Sequence, residues 1–443
     1  MSHSTRDHLR FVTRAGVPLV AAFDGGRLTS DGGLPWLAEA DTALDLCATL
    51  ARGIPDWRRG PVIHSLETLV RQRVFQIACG YEDQDDADTL RTDPLLKLVC
   101  GRLPDSGLPL ASQPTLSRLE NHISRHTAER LATALVDRYL CQRQRHGPPS
   151  RVVLDFDGTD DPAHGEQEGV AFHGYYDQYM YHPLLVFDGE TGQLITAVLR
   201  PGNVHGRRFA ILVLRRVVRR LRTNWPDVQI EIRADSGFAI PRMYAWCEAN
   251  GVDYTIGLAP NPVLERLAQP LLEQAQALSA ELGGAKVRLA ADGKYQAKSW
   301  PVARRVVYTA EILEQGPNTR FVVTTRTDPP LQLYDWYVDR GQSENWIKDD
   351  KNALAADRLS DHRFWANQFR LLLHAAAYWL MDTLRRWLAT TPAARFQFDT
   401  LRLRLLKIGA RVRESAGFVR LHLASSHPSQ LLWHHLASHR RGS

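Results

Sequence analysis

A short stretch of the chain carries acidic, basic and phenolic side chains at helical spacing. In YVDRGQSENWIKDDK they are Tyr337, Arg340, Glu344, Lys348 and Lys351. At 100° per residue, all five fall within about 80° of one face of an α-helix. One carboxylate among three cations and a phenol is suited to a site that also binds phosphate groups. The alternative is an ordinary exposed helix stabilised by i,i+4 ion pairs.

Two predicted strands end in aspartates. The run VVLDFDGTDD contains Asp155 and Asp157, which are two residues apart and therefore share a strand face. The run IEIRAD ends at Asp235. Functional groups in an open α/β sheet gather at strand ends beside the crossovers, so we expect these aspartates and Glu344 to meet at one edge. An aspartate at a strand end is commonly only a turn or cap residue, so the interpretation depends on the whole set.

Clustered carboxylates need a counter-charge, because they cannot all stay ionised without one. Ligation by carboxylates alone favours Mg²⁺ or Mn²⁺ over zinc. Two such ions support phosphoryl transfer, in which a water or a 3′-hydroxyl attacks a phosphodiester. The expected ligands are Asp157, Asp235 and Glu344, with Asp155 as a second ligand on the first strand or as the true one.

The elements that must position these residues change in character along the chain. Residues 1–150 are predicted to be a helical DNA-binding region, and Gly-Pro-Pro-Ser at 147–150 marks its boundary. Through 151–259 the predicted order is β-β-β-α-β-α-β. The first three strands should be antiparallel, and the strands after the crossover helices should be parallel. This is the order of a ribonuclease-H-like core, so the predicted fold class is α/β.

Three further regions complete the predicted organisation. Residues 260–335 contain a helix and three predicted strands, which we interpret as a β-rich insertion. The catalytic core resumes at 336–390, with the helix that carries Glu344 and a long apolar helix. Residues 391–443 form a basic C-terminal region, predicted to be helical and to end in a strand.

Composition narrows the class of protein. The chain has 443 residues, enough for two or three domains, with a net charge of +6 that is compatible with a polyanionic partner. None of its five cysteines forms a CxxC pair, which indicates thiols in a reducing compartment. We find no secretory signal and no apolar run long enough for a membrane span, so a cytosolic protein is expected.

Two basic segments leave alternatives open. Ser117, Arg118 and Asn121 follow Pro114 on a predicted helix. This helix is either a helix-turn-helix reading element or one face of a helical bundle. The arginine-rich helix at 207–222 either follows DNA phosphates or presents a solvated face.

A histidine- and tyrosine-rich segment lies between the first two aspartate strands. Its histidines, with Asp177 nearby, match no compact zinc motif: His173, His182 and His205. Its tyrosines either stack on an unpaired base or pack in the protein: Tyr175, Tyr176, Tyr179 and Tyr181.

Several separated blocks resemble one family of enzymes. Tyr337, Arg340, Glu344 and Lys351 keep the spacing of the Tyr-Arg-Glu-Lys signature of bacterial insertion-sequence DDE transposases. DSGF at 235–238 resembles the segment around that superfamily's second aspartate. Other blocks resemble the insertion-sequence thirteen-eighty family: FDGGRLTSDGGL, RQRVFQIACGYEDQDDADTLRTDP, ASQPTLSRLEN and LDFDGTDDPAHGEQEGVAFHGYYDQYMYHPL. The resemblance covers most of the chain.

The resemblance implies cut-and-paste movement of an insertion sequence by a DDE transposase. It implies Asp157, Asp235 and Glu344 as catalytic residues that bind two Mg²⁺ or Mn²⁺ ions. Cleavage by water would leave a 3′-hydroxyl, and that hydroxyl would attack target DNA. The family's first aspartate usually precedes a Gly/Ser/Thr pair, which favours Asp157 over Asp155.

The resemblance also implies partners. The residues expected to contact DNA are Tyr337, Arg340, Lys348 and Lys351. The expected substrates are the terminal inverted repeats of the element and target DNA, bound by a homodimer at the bacterial nucleoid. Two rival functions use the same core. One is a stand-alone metal-dependent nuclease that joins no ends, and the other is a non-catalytic DNA-binding protein, in which a lost carboxylate would be expected.

Overall fold

The first part of the chain is mainly helical, as the sequence predicts. In the computed structural model of the protein, residues 9–145, 147–204 and 209–442 are described. Three short strands come first: β1 (Leu9–Phe11), β2 (Leu19–Ala21) and β3 (Leu28–Thr29). Helices follow: α1 (Leu34–Leu44), α2 (Leu46–Gly53), α3 (Leu66–Ala78), α4 (Asp86–Leu90), α5 (Pro94–Val99), α6 (Gln113–His122) and α7 (Arg125–Gln144).

The next part of the chain forms the centre of the main sheet. Its strands are β4 (Arg151–Gly158), β5 (Asp161–Pro162), β6 (Ala171–His173), β7 (Gln178–Tyr181), β8 (Leu184–Asp188), β9 (Leu194–Val198), β10 (Gln229–Ala234) and β11 (Asp253–Leu258). Two crossover helices connect the later strands: α8 (Ala210–Asn224) and α9 (Pro241–Ala249). Strands β4, β8 and β9 are antiparallel neighbours, whereas β10 is parallel to both β4 and β11. The predicted order and directions of these strands are confirmed.

The segment predicted as an insertion extends this same sheet. It consists of α10 (Pro262–Glu281), β12 (Val287–Tyr295), β13 (Arg304–Leu313) and β14 (Gly316–Thr324). Strand β14 pairs antiparallel with β11, which gives the order β12-β13-β14-β11-β10-β4-β8-β9. The added strands therefore cover an edge that β11 would otherwise expose. Strands β5, β7 and β6 form a separate small sheet.

The last part of the chain returns to the core and then to the N-terminal region. Helices α11 (Pro330–Val338) and α12 (Gln342–Lys348) precede the buried helix α13 (Phe364–Trp387), which packs on α3 and β9. The remaining elements are α14 (Phe398–Leu401), β15 (Ala410–Ser415), β16 (Phe418–Leu423) and α15 (Gln430–Gly442). Strand β15 pairs with β3, so the two ends of the chain share one small sheet. No helix in the described ranges is long and apolar enough to cross a membrane.

The stretch that carries Glu344 is not one regular α-helix, as the 100° spacing assumed. A 3₁₀ turn at Asp339–Gly341 separates α11 from α12, and a π-helical turn at Asp349–Ala353 follows α12. Tertiary contacts hold this π turn, because Asp349 accepts hydrogen bonds from Arg385 at 2.7 Å and from the backbone N–H of Phe398 at 3.0 Å. The prediction of one regular α-helix is therefore wrong, because α, 3₁₀, α and π segments follow one another along this stretch.

Candidate active site

An open cleft lies at the edge of the sheet where β4 and β10 end. Its volume is about 510 Å³, and its charged lining residues are Asp157, Asp235, Arg340, Glu344, Lys348 and Lys351. The two strands are parallel, so their carboxyl ends lie at one edge and bring the two aspartates together. Helix α12 adds Glu344 from its first turn. The structure thus brings the three predicted carboxylates to one cleft.

Asp157 is the most buried of the three carboxylates. Only 8% of the residue is exposed. Ser343 Oγ donates a hydrogen bond to its Oδ2 at 2.9 Å, and Arg340 Nη1 lies 3.4 Å from the same oxygen. Burial raises the pKa of Asp157 to about 6 despite the attraction of Arg340, and the charges of Asp235 and Glu344 act in the same direction as burial. The pKa of Asp157 is therefore set mainly by burial, which disfavours the ionised carboxylate more than Arg340 favours it.

The other two carboxylates are more accessible. Asp235 follows β10 directly, and its Oδ1 accepts a hydrogen bond from the Gly237 backbone N–H at 2.8 Å. This bond fixes the carboxylate at the start of a 3₁₀ turn, Ser236–Phe238. Glu344 is exposed on α12. Both can therefore reach a ligand that enters the cleft from solvent.

Asp155 belongs to a buried ion pair and does not line the cleft. It accepts hydrogen bonds from Arg233 Nε and Nη2, both at 2.7 Å, and neither side chain is more than 3% exposed. Arg233 also donates through Nη1 to the backbone carbonyl of Trp336 at 2.8 Å. These contacts favour Asp157 as the ligand from β4, because the Asp155 carboxylate holds the arginine that anchors the end of α11. A metal role for Asp155 stays a prediction.

The four residues predicted to contact DNA differ in their surroundings. Lys351 Nζ lies 2.8 Å from Asp160 Oδ1 and 3.5 Å from Asp357 Oδ2, so it already has protein partners. Arg340 is engaged with Asp157, as described above. Lys348 is exposed in the cleft and makes no hydrogen bond or ion pair within the described part of the chain.

Tyr337 lies behind the cleft. Its hydroxyl donates a hydrogen bond to the backbone carbonyl of Ala234 at 3.2 Å, and burial raises its pKa. A Cβ atom added to Gly257 of β11 would lie 2.7 Å from this hydroxyl, so a glycine is required there. Tyr337 thus joins α11 to the end of β10, next to Asp235. This contact is structural, and its predicted contact with DNA stays a prediction.

Helix α6, the predicted reading helix, is tied into the helical region. Glu120 is fully buried and pairs with both Arg73 and Arg370. The Asn121 amide donates to Asp361 Oδ2 at 3.0 Å, whereas Arg118 is exposed. These contacts indicate that Asn121 packs within the helical bundle, whereas Arg118 is accessible to solvent.

The arginine-rich helix is partly paired with α7. Arg216 lies 3.3 Å from Glu129, and Arg220 pairs with Asp137. Residues 207 and 208, at the start of the predicted segment, lie outside the described residues. The paired arginines favour a solvated face for α8.

The histidines do not form a zinc site in the described part of the chain. The rings of His173 and His182 lie 5.0 Å apart between centroids, in an edge-to-face arrangement. Burial lowers the pKa of His182 to about 4. His205 lies outside the described residues. Within the ranges that are described, no group of three His, Cys, Asp or Glu side chains could by itself hold a metal ion.

Two residues at the site had no role in the sequence interpretation. Ser343 contacts Asp157, and Arg233 anchors α11. Tyr176, which the sequence offered as either a stacking or a packing residue, lines the cleft. Ser343 lies one residue before Glu344, where a small polar side chain beside a carboxylate was a weak signal. Arg233 lies directly opposite Asp155 in the register of the parallel strands, and this pairing between distant segments had no signal in the local sequence.

Comparisons with known proteins found a family and a solved structure that this chain resembles. A family model described as transposase DDE domain group 1 matches residues 11–441. Among solved structures, the cryo-EM structure of piggyBac transposase in a synaptic complex with hairpin DNA matches with 11% identity and a TM-score of 0.44, over 90% of this chain and 81% of that chain. No curated protein matches the sequence. Because the family model spans nearly the whole chain, the chain belongs to the family of transposases with a DDE domain of group 1.

Proposed function

We propose that the protein is a cut-and-paste DNA transposase of the insertion-sequence thirteen-eighty family, built on a ribonuclease-H-like core. The observation that carries this proposal is the convergence of Asp157, Asp235 and Glu344 in one open cleft. The order β9-β8-β4-β10-β11, with its antiparallel and parallel pairs, supports the core. Membership of the DDE transposase family supports the activity.

The carboxylates fit divalent cations in their chemistry. All three supply hard oxygen donors. Burial raises the pKa of Asp157 to about 6, and the charges of Asp235 and Glu344 add to that rise, so a bound cation would favour the ionised carboxylate. Among the described residues, no three His, Cys, Asp or Glu side chains lie close enough together to hold one metal ion by themselves. Mg²⁺ commonly takes one or two protein carboxylates and completes its shell with water and substrate phosphate oxygens, so carboxylates used in pairs suit it. When bound, two Mg²⁺ or Mn²⁺ ions would supply Lewis acidity for phosphoryl transfer.

The protein's own residues would bind and orient the DNA. Lys348 is exposed and pairs with a backbone phosphate as a point charge. Arg340 makes only a long contact with Asp157, so its guanidinium would be available to a phosphate if a cation were bound by that carboxylate. Tyr337 and Arg233 keep α11 against the sheet, so that Glu344 stays opposite the two aspartates.

The reaction would proceed in two phosphoryl transfers. Water attacks the phosphodiester at an element end, and the bond from phosphorus to the 3′-oxygen breaks, leaving a 3′-hydroxyl. That hydroxyl then attacks a target phosphodiester. Its oxygen bonds to the phosphorus as the bond to the target's 3′-oxygen breaks, so the target strand leaves with a free 3′-hydroxyl and no ATP is needed. Joining requires both element ends together, so a homodimer on DNA is the proposed active form. Recognition of the terminal repeats is assigned to residues 1–150.

The proposal is tested with a plasmid that carries the inverted repeats flanking the gene. Wild-type protein in Mg²⁺ should release the element and join its ends to target DNA. Asp157→Asn, Asp235→Asn and Glu344→Gln should each lower cleavage by more than ~100-fold, beyond the loss typical of outer-shell partners. Glu281→Gln removes an exposed carboxylate on α10 and serves as the control.

The outcomes separate the rival functions. Cleavage without joining would identify a nuclease. Binding without cleavage by the wild-type protein would identify a non-catalytic DNA-binding protein. Cleavage by Glu344→Gln at the wild-type rate would refute the proposed site.

A further inference from the structure

A small sheet projects beside the cleft, and its base is firmly held. Strands β6 and β7 form a hairpin that pairs with β5. At the base of the hairpin, Met180 and Tyr181 are fully buried. The Tyr181 hydroxyl donates to the Glu168 backbone carbonyl at 2.7 Å, and the Tyr181 backbone forms a bridge with Pro201. The hairpin is therefore fixed against the main body at this end.

The outer part of the hairpin is aromatic and exposed. Tyr175 is 85% exposed, Tyr179 65% and Phe172 47%. Phe172 and Tyr179 are cross-strand partners whose ring centroids lie 5.6 Å apart. Packing thus explains Tyr181 but does not explain these three rings. Clustered apolar groups on a surface indicate a binding site.

The exposed rings continue into the catalytic cleft. The Tyr175 and Tyr176 ring centroids lie 5.0 Å apart, and Tyr176 forms part of the cleft wall beside Asp157. Burial and the charges of Asp160 and Asp157 raise the pKa of Tyr176. The Gln178 amide lies 3.4 Å from Asp160, which in turn binds Lys351. The aromatic surface and the charged cleft are therefore one continuous surface.

We propose that Phe172, Tyr175, Tyr176 and Tyr179 form a stacking site for unpaired bases of the DNA end that enters the cleft. This inference rests on the proposed function, because DNA must reach the carboxylates. Aromatic side chains bind bases through their ring faces, and this stacking tolerates any base sequence. In a duplex neighbouring base pairs cover those faces, so the site selects bases that have left the helix. The cationic side chains of the cleft, Arg340, Lys348 and Lys351, lie where they can contact the phosphates of the same strand.

The test measures binding without cleavage, in buffer that contains EDTA. The probes are a blunt duplex and the same duplex with a single-stranded tail of several thymidines around one 2-aminopurine. Wild-type protein should bind the tailed probe about tenfold more tightly and quench the 2-aminopurine fluorescence. Tyr175→Ala and Tyr179→Ala should each reduce this preference by about fivefold or more, whereas Tyr175→Phe should keep it because the ring remains.

A matched control and the contrary outcomes complete the test. Phe418→Ala removes a ring that is 55% exposed on the β15–β16 hairpin, in a different sheet, and should leave the preference intact. Equal affinity of the wild type for both probes would overturn the proposal. A double variant, Tyr175→Ala with Tyr179→Ala, that keeps the full preference for the tailed probe would also overturn it. If that variant also differed from the wild type in oligomer mass, the rings would instead contact a second protein chain. The binding assay contains EDTA and therefore no divalent metal. A negative result in it would refute the stacking site and would leave the proposed function to be tested separately by cleavage with Glu344→Gln.

Discussion

The two aspartates of β4 should fail in different ways when they are removed. Asp155→Ala leaves the Arg233 guanidinium buried, with a side chain 3% exposed and no carboxylate partner. Breaking a buried ion pair by removing one partner costs about 3–5 kcal/mol. This is a large share of the ~5–15 kcal/mol that stabilises a typical protein. Asp155→Ala should therefore unfold at a much lower urea concentration than the wild type.

Asp157→Ala should leave stability nearly unchanged. Asp157 has one short hydrogen bond, from Ser343, and its contact with Arg340 is long at 3.4 Å. The lost hydrogen bond is worth about 1 kcal/mol, and burial already disfavours the ionised carboxylate. The same variant should lose DNA cleavage, because Asp157 lines the cleft. Stability and activity are thus expected to separate between two residues on one strand.

The assay compares urea midpoints by tryptophan fluorescence with end cleavage per folded molecule. A double variant, Asp155→Leu with Arg233→Met, removes both charges and should recover most of the stability lost in Asp155→Ala, since no charge is left buried alone. The opposite roles would be shown by two results together. Asp155→Ala would unfold at the wild-type urea concentration and lose cleavage, and Asp157→Ala would cleave normally.

Two further predictions concern charge. Lys348→Ala should lower DNA affinity and reduce the slope of log affinity against log salt by about 1, without changing the urea midpoint. Lys351→Ala should lower the urea midpoint as well, because Lys351 pairs with Asp160 and Asp357. An unchanged midpoint in Lys351→Ala would contradict this distinction. Burial lowers the pKa of His374 to about 3. Between pH 6.5 and pH 3, His374 is therefore protonated in the unfolded chain but neutral in the folded chain. Stability should fall by up to ~1.4 kcal/mol per pH unit as pH drops below 6.5 towards 3, and His374→Gln should show a shallower fall in urea midpoints between pH 7 and pH 5. Parallel midpoint curves for the two proteins would refute the His374 assignment.

The centre of the sheet was predictable from local sequence patterns. Strand β4 is an almost continuous apolar run interrupted only by its aspartates, and such runs indicate strands buried on both faces. Crossover helices between β9, β10 and β11 then constrain the later strands to be parallel. These rules are sufficient to bring Asp157 and Asp235 to one edge.

The partners of individual residues were not predictable in the same way. Asp155 and Asp157 share a residue type and a strand face. Their contacts separate them, because Arg233 binds Asp155 and Ser343 binds Asp157. The pairing of β14 with β11 joins segments separated by a long helix, so local sequence carries no record of it. The π turn after α12 depends on Asp349 contacting α13 and the segment after it. Contacts between distant segments decided each of these features.

If the three carboxylates of the cleft bind the divalent ions used for DNA cleavage, a change of ligand type should change which ion supports the reaction. End cleavage by Asp235→Cys in Mg²⁺ and in Mn²⁺ measures this. A thiolate is a soft ligand that suits Mg²⁺ poorly and is better accepted by a transition-metal ion. Asp235→Cys should show no detectable cleavage in Mg²⁺ and partial recovery in Mn²⁺, whereas wild-type protein should be active in both. Cleavage by Asp235→Cys in Mg²⁺ at the wild-type rate would contradict this metal-binding role.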